Sequence, residues 1–502
     1  MNLLYSAWIP VRADNGVGPF RLLSYEELLC GEEHWAISLP RDDLELACIQ
    51  LLMCITQIVF LPTDDAALRA FITKPLNPEQ FADRIAPFGE WFDLDHPTQP
   101  FMQTRGVEAK EDTPIQKLLI GLPEGNNHAF FNEVGEVKRL GPTVAAIALF
   151  NQAMNCPGFG RDFKCGLRGS APVTTLVAGR DLRETVWRNV LTLPRVRERF
   201  PNYQPGAADD VPTWIRPIRD KEIIHVSLDI KLARGLFWQP AHVELIKAAV
   251  EASCDVLGGA AGAVYSGFRK ERFSFTVEGI WPHPHGIQIE SLKKGVIEKK
   301  FVSFTTTAPA WTLLSEFIVP RDLNNKDIKE GCVPAGPVIQ AGELLIRRRE
   351  KLHLIVGGYR NKQASVLERR HELISLASSW QDNQGQIVRL VNLGKIAKKI
   401  LRGQLWFAAQ GDKERGMKGI GVSIHEPGEK IYYARTENLF YELLDKEDDR
   451  VEEQLARELS AICKAIFEEL TNPYTHKPEL IPIIARTRRK LARDLKEMRE
   501  KT

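Results

Sequence analysis

The stretch "VGGYRNKQASVLERRHELISLASSW", residues 356–380, decides how the chain divides. A strand-like run, "KLHLIV" (351–356), leads into it and ends at two adjacent glycines, Gly357 and Gly358. From Ala364 onward the apolar residues recur at helical spacing. On that reading Arg360, Asn361, Lys362 and Gln363 lie on a turn that feeds a helix. Polar tips project from such a place and the first helical amides attract phosphate. An ordinary junction between domains would look the same.

Beyond this junction the pattern stays helical, in "QIVRLVNLGKIAKKILRGQLWFAA", "NLFYELLDK", "VEEQLARELSAICKAIFEEL" and "ARTRRKLARDLKEMREK". The joints "QDNQGQ", "HEPGE" and "TNPYTHKP" hold helix breakers. Four or five long amphipathic helices need one another to cover their apolar stripes, which predicts a bundle. Upstream, strand-like pieces such as "ERFSFTV" and "KKFVSFTTT" mix with helix-like ones such as "AAIALFNQAM" and "LRETVWRNVLTL", without a βαβ rhythm. The expected fold is therefore α+β: a large irregular mixed N-terminal domain, residues 1–368, followed by a C-terminal helical (four-helix) bundle, residues 369–502.

With 502 residues, more than one domain is expected, and 44% hydrophobic against 26% charged residues is the balance of a folded globular chain. Lys and Arg total 67 and Asp and Glu 65, so nucleic-acid binding would have to come from local patches. "LELACIQLLMCITQIVFLP" is the nearest approach to a membrane span, yet Glu45, Gln50 and Gln57 interrupt it; a deeply buried helix opened by Arg41, Asp42 and Asp43 and closed by Pro62 is expected. The start "MNLLYSAWIPVR" lacks the charge and apolar run of a signal peptide. None of the eight cysteines forms a C-x-x-C pair. A reduced, cytoplasmic protein without a disulfide framework is the expectation.

Enzyme signatures are missing: there is no G-x-x-x-x-G-K-[ST], H-E-x-x-H, G-x-S-x-G or EF-hand loop. "WPHPHG" offers His283 and His285 without acidic or thiolate partners, so a structural turn is the simpler reading. His371 in "ERRHEL" reads as a solvated or capping residue at a helix start. "NCPGFGRDFKCGLRGS", residues 155–170, has two readings. Its glycines could merely turn a surface loop whose cations aid solubility. Alternatively, bare amides at Gly158 and Gly160 press against a polyanion while Arg161, Lys164 and Arg168 neutralise phosphate. A minor groove only about 6 Å wide admits backbone where a bulky side chain would not enter. "YSGFRKERFSF" carries Arg269, Lys270 and Arg272, and "ESLKKGVIEKK" puts Lys293 and Lys294 at a hairpin tip; edge lysines often only discourage aggregation. From His476 to Thr502 nine Lys/Arg face four Asp/Glu, either as a track along a nucleic-acid backbone or as a solvated helix face.

Taken in order, "WIPVR" (8–12), "SLPRDDLELA" (38–47), "QPFMQTRGV" (99–107), "AIALFNQA" (146–153), "PGFG" (157–160), "GLRG" (166–169), "PVTT" (172–175), "RGLFWQPAH" (234–242), "WPHPH" (281–285), "GGYRN" (357–361), "LERRH" (367–371) and "GVSIHE" (421–426) resemble the CasA family. CasA is the large subunit of Cascade, the type I-E CRISPR surveillance complex, and the likeness runs from the first residues to the bundle. The resemblance implies a non-enzymatic subunit that inspects a short motif, the PAM, from the minor groove while guide RNA reads the target. It also implies partners: double-stranded DNA, the guide RNA 5′ handle, other Cascade subunits and a helicase–nuclease recruited for antiviral defence, with no membrane.

Carried over by residue, the glycine loop falls on Gly158, Phe159, Gly160 and Arg161, and the wedge entering the duplex on Gln363 with Ala364, beside Lys362. The minor-groove cation falls on Arg272, and a basic patch near incoming DNA on Lys293 and Lys294. Phe130 and Asn132, in "NNHAFFN", match the segment that meets the RNA handle and neighbouring subunits. Arg272 replaces a family lysine, Lys362 an asparagine and Arg161 a glycine, so PAM preference is expected to differ. Some relatives bind zinc through two cysteine pairs; here the first region reads "GPTV" (141–144) and the second keeps only Cys254, so neither zinc nor another cofactor is expected. The rival reading is a metal-dependent nuclease or hydrolase on the α+β domain.

Overall fold

Helix α1, Asp42–Val59, starts where the sequence suggests, with Asp42, Asp43 and Glu45 in a first turn whose dipole favours negative charge. Nearly all of it is buried. Its inner Gln57 is satisfied, donating to the Leu191 carbonyl (3.0 Å) and accepting from the Leu191 amide (2.6 Å). Helix α2, Pro142–Asn155, takes Pro at its first turn, packs on α1 and buries every residue after Pro142. These two helices are the centre of the core.

The computed structural model describes residues 1–13, 18–122, 135–158, 164–271, 273–323, 330–346, 350–362, 365–446 and 450–502. They group into two compact units: residues 1–305, 320–344 and 354–373 in the first, and 306–319, 345–353 and 374–502 in the second.

In the first unit, among the described residues, the strands form several small sheets of two or three members. Strand β1, Thr174–Val177, belongs to one of them. Strands β2, Gln288–Lys293, and β3, Val296–Phe301, make a hairpin in register from Gln288↔Phe301 to Lys293↔Val296. Its two-residue turn, Lys294-Gly295, has φ of 50° and 80°, the twist that tight hairpins favour. Strand β4, Glu330–Val333, covers the other edge of β2.

Strands β5, Leu352–Lys362, and β6, Ser365–Leu376, correct the reading of the junction. The expected helix from residue 364 is a strand: β6, β5 and β1 form one sheet in that order. His353 meets Ser375 (2.8 Å) and Arg360 meets Glu368 (2.7 Å), which makes β5 and β6 antiparallel. His371 thus lies in a strand. Nor do Gly357 and Gly358 end β5; they let it pass close to other chain. A Cβ on Gly357 would stand 2.5 Å from Leu46 Cδ2, and one on Gly358, whose φ is 155°, would stand 2.9 Å from the Pro172 carbonyl oxygen. Pairing with the preceding strand overrides local helical spacing.

In the second unit, α3 (Gln384–Gln410), α4 (His425–Leu444), α5 (Val451–Thr471) and α6 (Ile481–Glu500) form an up-down-up-down four-helix bundle. Lys398 and Arg402 of α3 hold Glu429 near the start of α4, while Arg389 near the start of α3 holds Glu452 near the start of α5. Gln404 reaches Asp494 late in α6. The "HEPGE" segment, expected as a joint, is the first turn of α4. Gly394 makes room for Trp311, which stacks on Phe440 at 3.7 Å and 8°.

Candidate nucleic-acid interface

Two glycine-containing stretches lie far apart in sequence, and the fold packs their described flanks together. Tyr359 of β5 joins Ile120, Cys156 and Ala171 in a small buried cluster, with Val366 against it. Cys156 precedes and Ala171 follows the glycine-containing stretch, so its described flanks share one cluster with β5 and β6. Near the hairpin end, Asn361 Nδ2 donates to Ser170 Oγ at 3.4 Å.

Beneath the cluster runs a chain of buried polar groups. The Tyr359 hydroxyl donates to Asp43 Oδ2 (2.9 Å) and accepts from Asn151 Nδ2 (2.8 Å). Asn155 Nδ2 donates to Asn151 Oδ1 (2.9 Å) and to Gln50 Oε1 (3.2 Å). Arg168 donates to Asn155 Oδ1 (2.5 Å) and to Thr174 Oγ1 (3.0 Å). Asp43 is held by Arg41 (2.8 Å) and Arg369 (3.4 Å). Burial and the neighbouring Asp43 push the Tyr359 phenol well above its usual range, so it remains a donor. The sequence hint for this network is Asn151, Asn155 and Gln50, polar side chains inside otherwise apolar helices.

This network also corrects the role expected of Arg168. The side chain is 4% exposed, and burial lowers its pKa to about 9, still a cation at neutral pH. It is spent on Asn155 and Thr174 inside the fold rather than presented at the surface. Lys164, half-buried, donates to the Phe275 carbonyl and lies 4.1 Å over the Phe275 ring.

Of the residues expected at the site, Gly158 lies half-buried in the loop after α2, and Lys362 is exposed at the end of β5. Lys293 and Lys294 sit exposed at the β2–β3 turn, Lys293 paired with Glu298 at 2.5 Å. Phe159, Gly160, Arg161, Arg272, Gln363, Ala364, Phe130 and Asn132 lie outside the described residues. Arg269 pairs with Asp112 at 3.0 Å. On α6, Arg486 pairs with Asp412, Arg488 with Glu468 (2.6 Å) and Arg493 with Asp494 (3.1 Å), while Lys490 lies 5.2 Å from the Phe407 ring. Much of that basic face is thus spent within the bundle.

His283 and His285 are fully enclosed, the His285 amide donating to His283 Nδ1 at 3.1 Å. Burial, reinforced by Arg168, depresses both imidazoles, His285 to about 3. The two regions compared with zinc sites do meet: a Cβ on Gly141 would stand 3.3 Å from Cys254 Cβ. Among the described residues no three His, Cys, Asp or Glu side chains cluster as a metal site, and no helix is long and apolar enough to cross a membrane.

Comparison with known proteins follows the same lines. The family model described as CRISPR-associated protein Cse1 matches residues 2–470. A curated relative from Thermus thermophilus, CRISPR-associated protein CasA/Cse1, is 28% identical over 245 residues, a stretch covering 43% of each chain. The crystal structure of Thermus thermophilus CasA superposes with a TM-score of 0.71 at 19% identity over 99% of both chains. Thermobifida fusca Cse1 gives 0.73 at 16% identity over 100% of this chain and 98% of the other. A chain of a CRISPR RNA-guided surveillance complex gives 0.66 at 16% identity, over 98% of this chain and 99% of that one.

Proposed function

The chain belongs to the CRISPR-associated Cse1 family, and from that premise we propose that it is the non-catalytic DNA-inspecting subunit of a type I-E RNA-guided Cascade complex. In this reading the amides of Gly158 to Gly160 and the Arg272 side chain face the PAM in the minor groove. Arg161, Lys362, Lys293 and Lys294 neutralise phosphate, and Gln363 with Ala364 takes the space of the first opened base pair. Phe130 and Asn132 meet the guide RNA handle and neighbouring subunits, and the opened target is passed to a recruited helicase–nuclease.

One observation supports the reading: the described flanks of the two segments, Cys156 and Ala171 of one and Tyr359 of the other, share a buried cluster, and Asn361 meets Ser170. Elements meant to act on the same few base pairs need such a common root. Unstacking a base step costs on the order of a few kcal/mol, which phosphate contacts and the growing RNA–DNA hybrid offset. Minor-groove reading is degenerate, so tolerance of several PAMs is expected.

The test is R-loop formation by the reconstituted complex on targets with permuted PAM bases. Gln363→Ala should slow opening, and opening should depend on PAM identity. Indifference to PAM would leave a scaffold role. Plasmid cleavage by the purified chain with magnesium or manganese alone would favour the nuclease reading.

A further inference from the structure

The first unit also holds a cavity of about 610 Å³, walled by Phe200, Tyr203, Ile230 and Trp281. Its volume suits a small organic ligand. Phe200 is half-buried, and the enclosed Trp281 packs against it at 5.3 Å with the planes at 32°. Arg199, Lys231 and Lys299 add positive charge to the lining.

These cations differ. Lys231 is paired with Asp209 (2.5 Å) and Lys299 with Glu290 (2.6 Å). The acid on the rim, Glu198, is held by Arg195 at 2.8 Å. Arg199 has no such partner: its guanidinium donates to the Pro334 carbonyl at 3.3 Å, and no carboxylate lies within ion-pair distance of it among the described residues. Burial lowers its pKa to about 10, which still leaves it charged at neutral pH. Room for it depends on Gly336, where a Cβ would stand 3.1 Å from Arg199 Nε. The Trp281 indole, 1% exposed, has an N–H with no partner among the described residues. Arg199 is thus a cation without an anion beside the half-buried Phe200 ring. A half-buried guanidinium without an anion is a costly arrangement unless an anion arrives.

From this cavity we infer that the chain binds a nucleoside phosphate, its base against the half-buried Phe200 and its phosphate on Arg199. The base uses the Phe200 ring, as single-stranded nucleotides do on aromatic platforms, and the phosphate takes the forked donors of arginine. The ligand is either a free nucleotide or one nucleotide of a single strand. This site shares no residue with the proposed PAM contacts, so the two readings stand or fall separately.

The experiment uses the full-length chain and three probes: thymidine 5′-monophosphate, an oligothymidylate of about eight nucleotides, and inorganic phosphate, each titrated calorimetrically. Thymidine monophosphate should saturate and inorganic phosphate should bind more weakly. Arg199→Gln should weaken the monophosphate about tenfold, the loss of one charge-assisted hydrogen bond, and leave Gln363-dependent R-loop opening unchanged. If circular dichroism shows that Arg199→Gln does not fold, Phe200→Ala replaces it and should weaken binding by a similar factor through lost stacking. Tighter binding of the oligonucleotide that is lost in the same variants assigns the site to a strand; binding of the monophosphate alone assigns it to a free nucleotide. No saturation by about 10 mM, equal binding of inorganic phosphate, or folded variants with unchanged affinity would overturn the inference.

Discussion

Replacing Gly357 by alanine tests how the β5–β6 hairpin is seated. The new methyl would stand 2.5 Å from Leu46 Cδ2 and 2.8 Å from the Arg370 carbonyl oxygen. Ordinary carbon contacts lie near 3.5–4.0 Å, so something must move by about 1 Å. Neither neighbour is free to move. Leu46 is 5% exposed on a core helix, and Arg370 is pinned by Glu368 at 3.0 Å and by the Phe304 ring at 4.7 Å. Overpacking of this kind costs about 1–3 kcal/mol. The cheapest relief lifts β5 from α1 and so shifts Tyr359 against Cys156 and Ala171. Hydrogen exchange of the 352–376 amides should show protection reduced by that amount, and R-loop opening by the assembled complex should slow. Gly262→Ala, where nothing lies within 4 Å of the added carbon, is the control and should change neither. Unchanged protection in Gly357→Ala would refute the close approach.

Other expectations follow from the same geometry. Gly403 lies inside α3 with open space around a Cβ, so Gly403→Ala should raise the bundle's stability by about 0.5–1 kcal/mol in urea denaturation; a loss would mean the helix is interrupted there. His283 and His285 have folded pKa values below the unfolded value near 6.5, so the unfolded chain takes up protons first as pH falls. Their contribution is complete above that value and is lost on acidification at about 1.4 kcal/mol per pH unit for each ring, about 2–3 kcal/mol in total by pH ~5.5. A denaturation midpoint that stays flat between neutrality and that pH would contradict the buried neutral pair. Arg168→Met should cost about 1–3 kcal/mol by stranding Asn155 Oδ1, yet leave the salt dependence of DNA binding intact. Lys362→Gln should reduce that salt slope by about one; the reverse pattern would return Arg168 to the surface.

Helices α1 and α2 were legible because each is long, apolar and ended by ordinary helix punctuation. The junction was harder. Val366, Leu367, Leu373, Ile374 and Leu376 fit a helical stripe as well as a strand, and only pairing with β5 decides between them. Adjacent glycines carry the same ambiguity, since a terminator and a close approach require the same residue. Arg168 and Arg161 look alike in sequence; burial against Asn155 and Thr174 is a tertiary fact. Trp311 belongs with the helical unit through its stack on Phe440, a contact spanning more than a hundred positions that no local pattern announces.

The most direct measurement is site-specific photocrosslinking of the assembled complex to target duplex, with a photoreactive amino acid placed in turn at positions 159 and 363. Both positions should crosslink to the same PAM-proximal base pairs. Crosslinks at separate places on the duplex, or from only one of the two positions, would contradict the account.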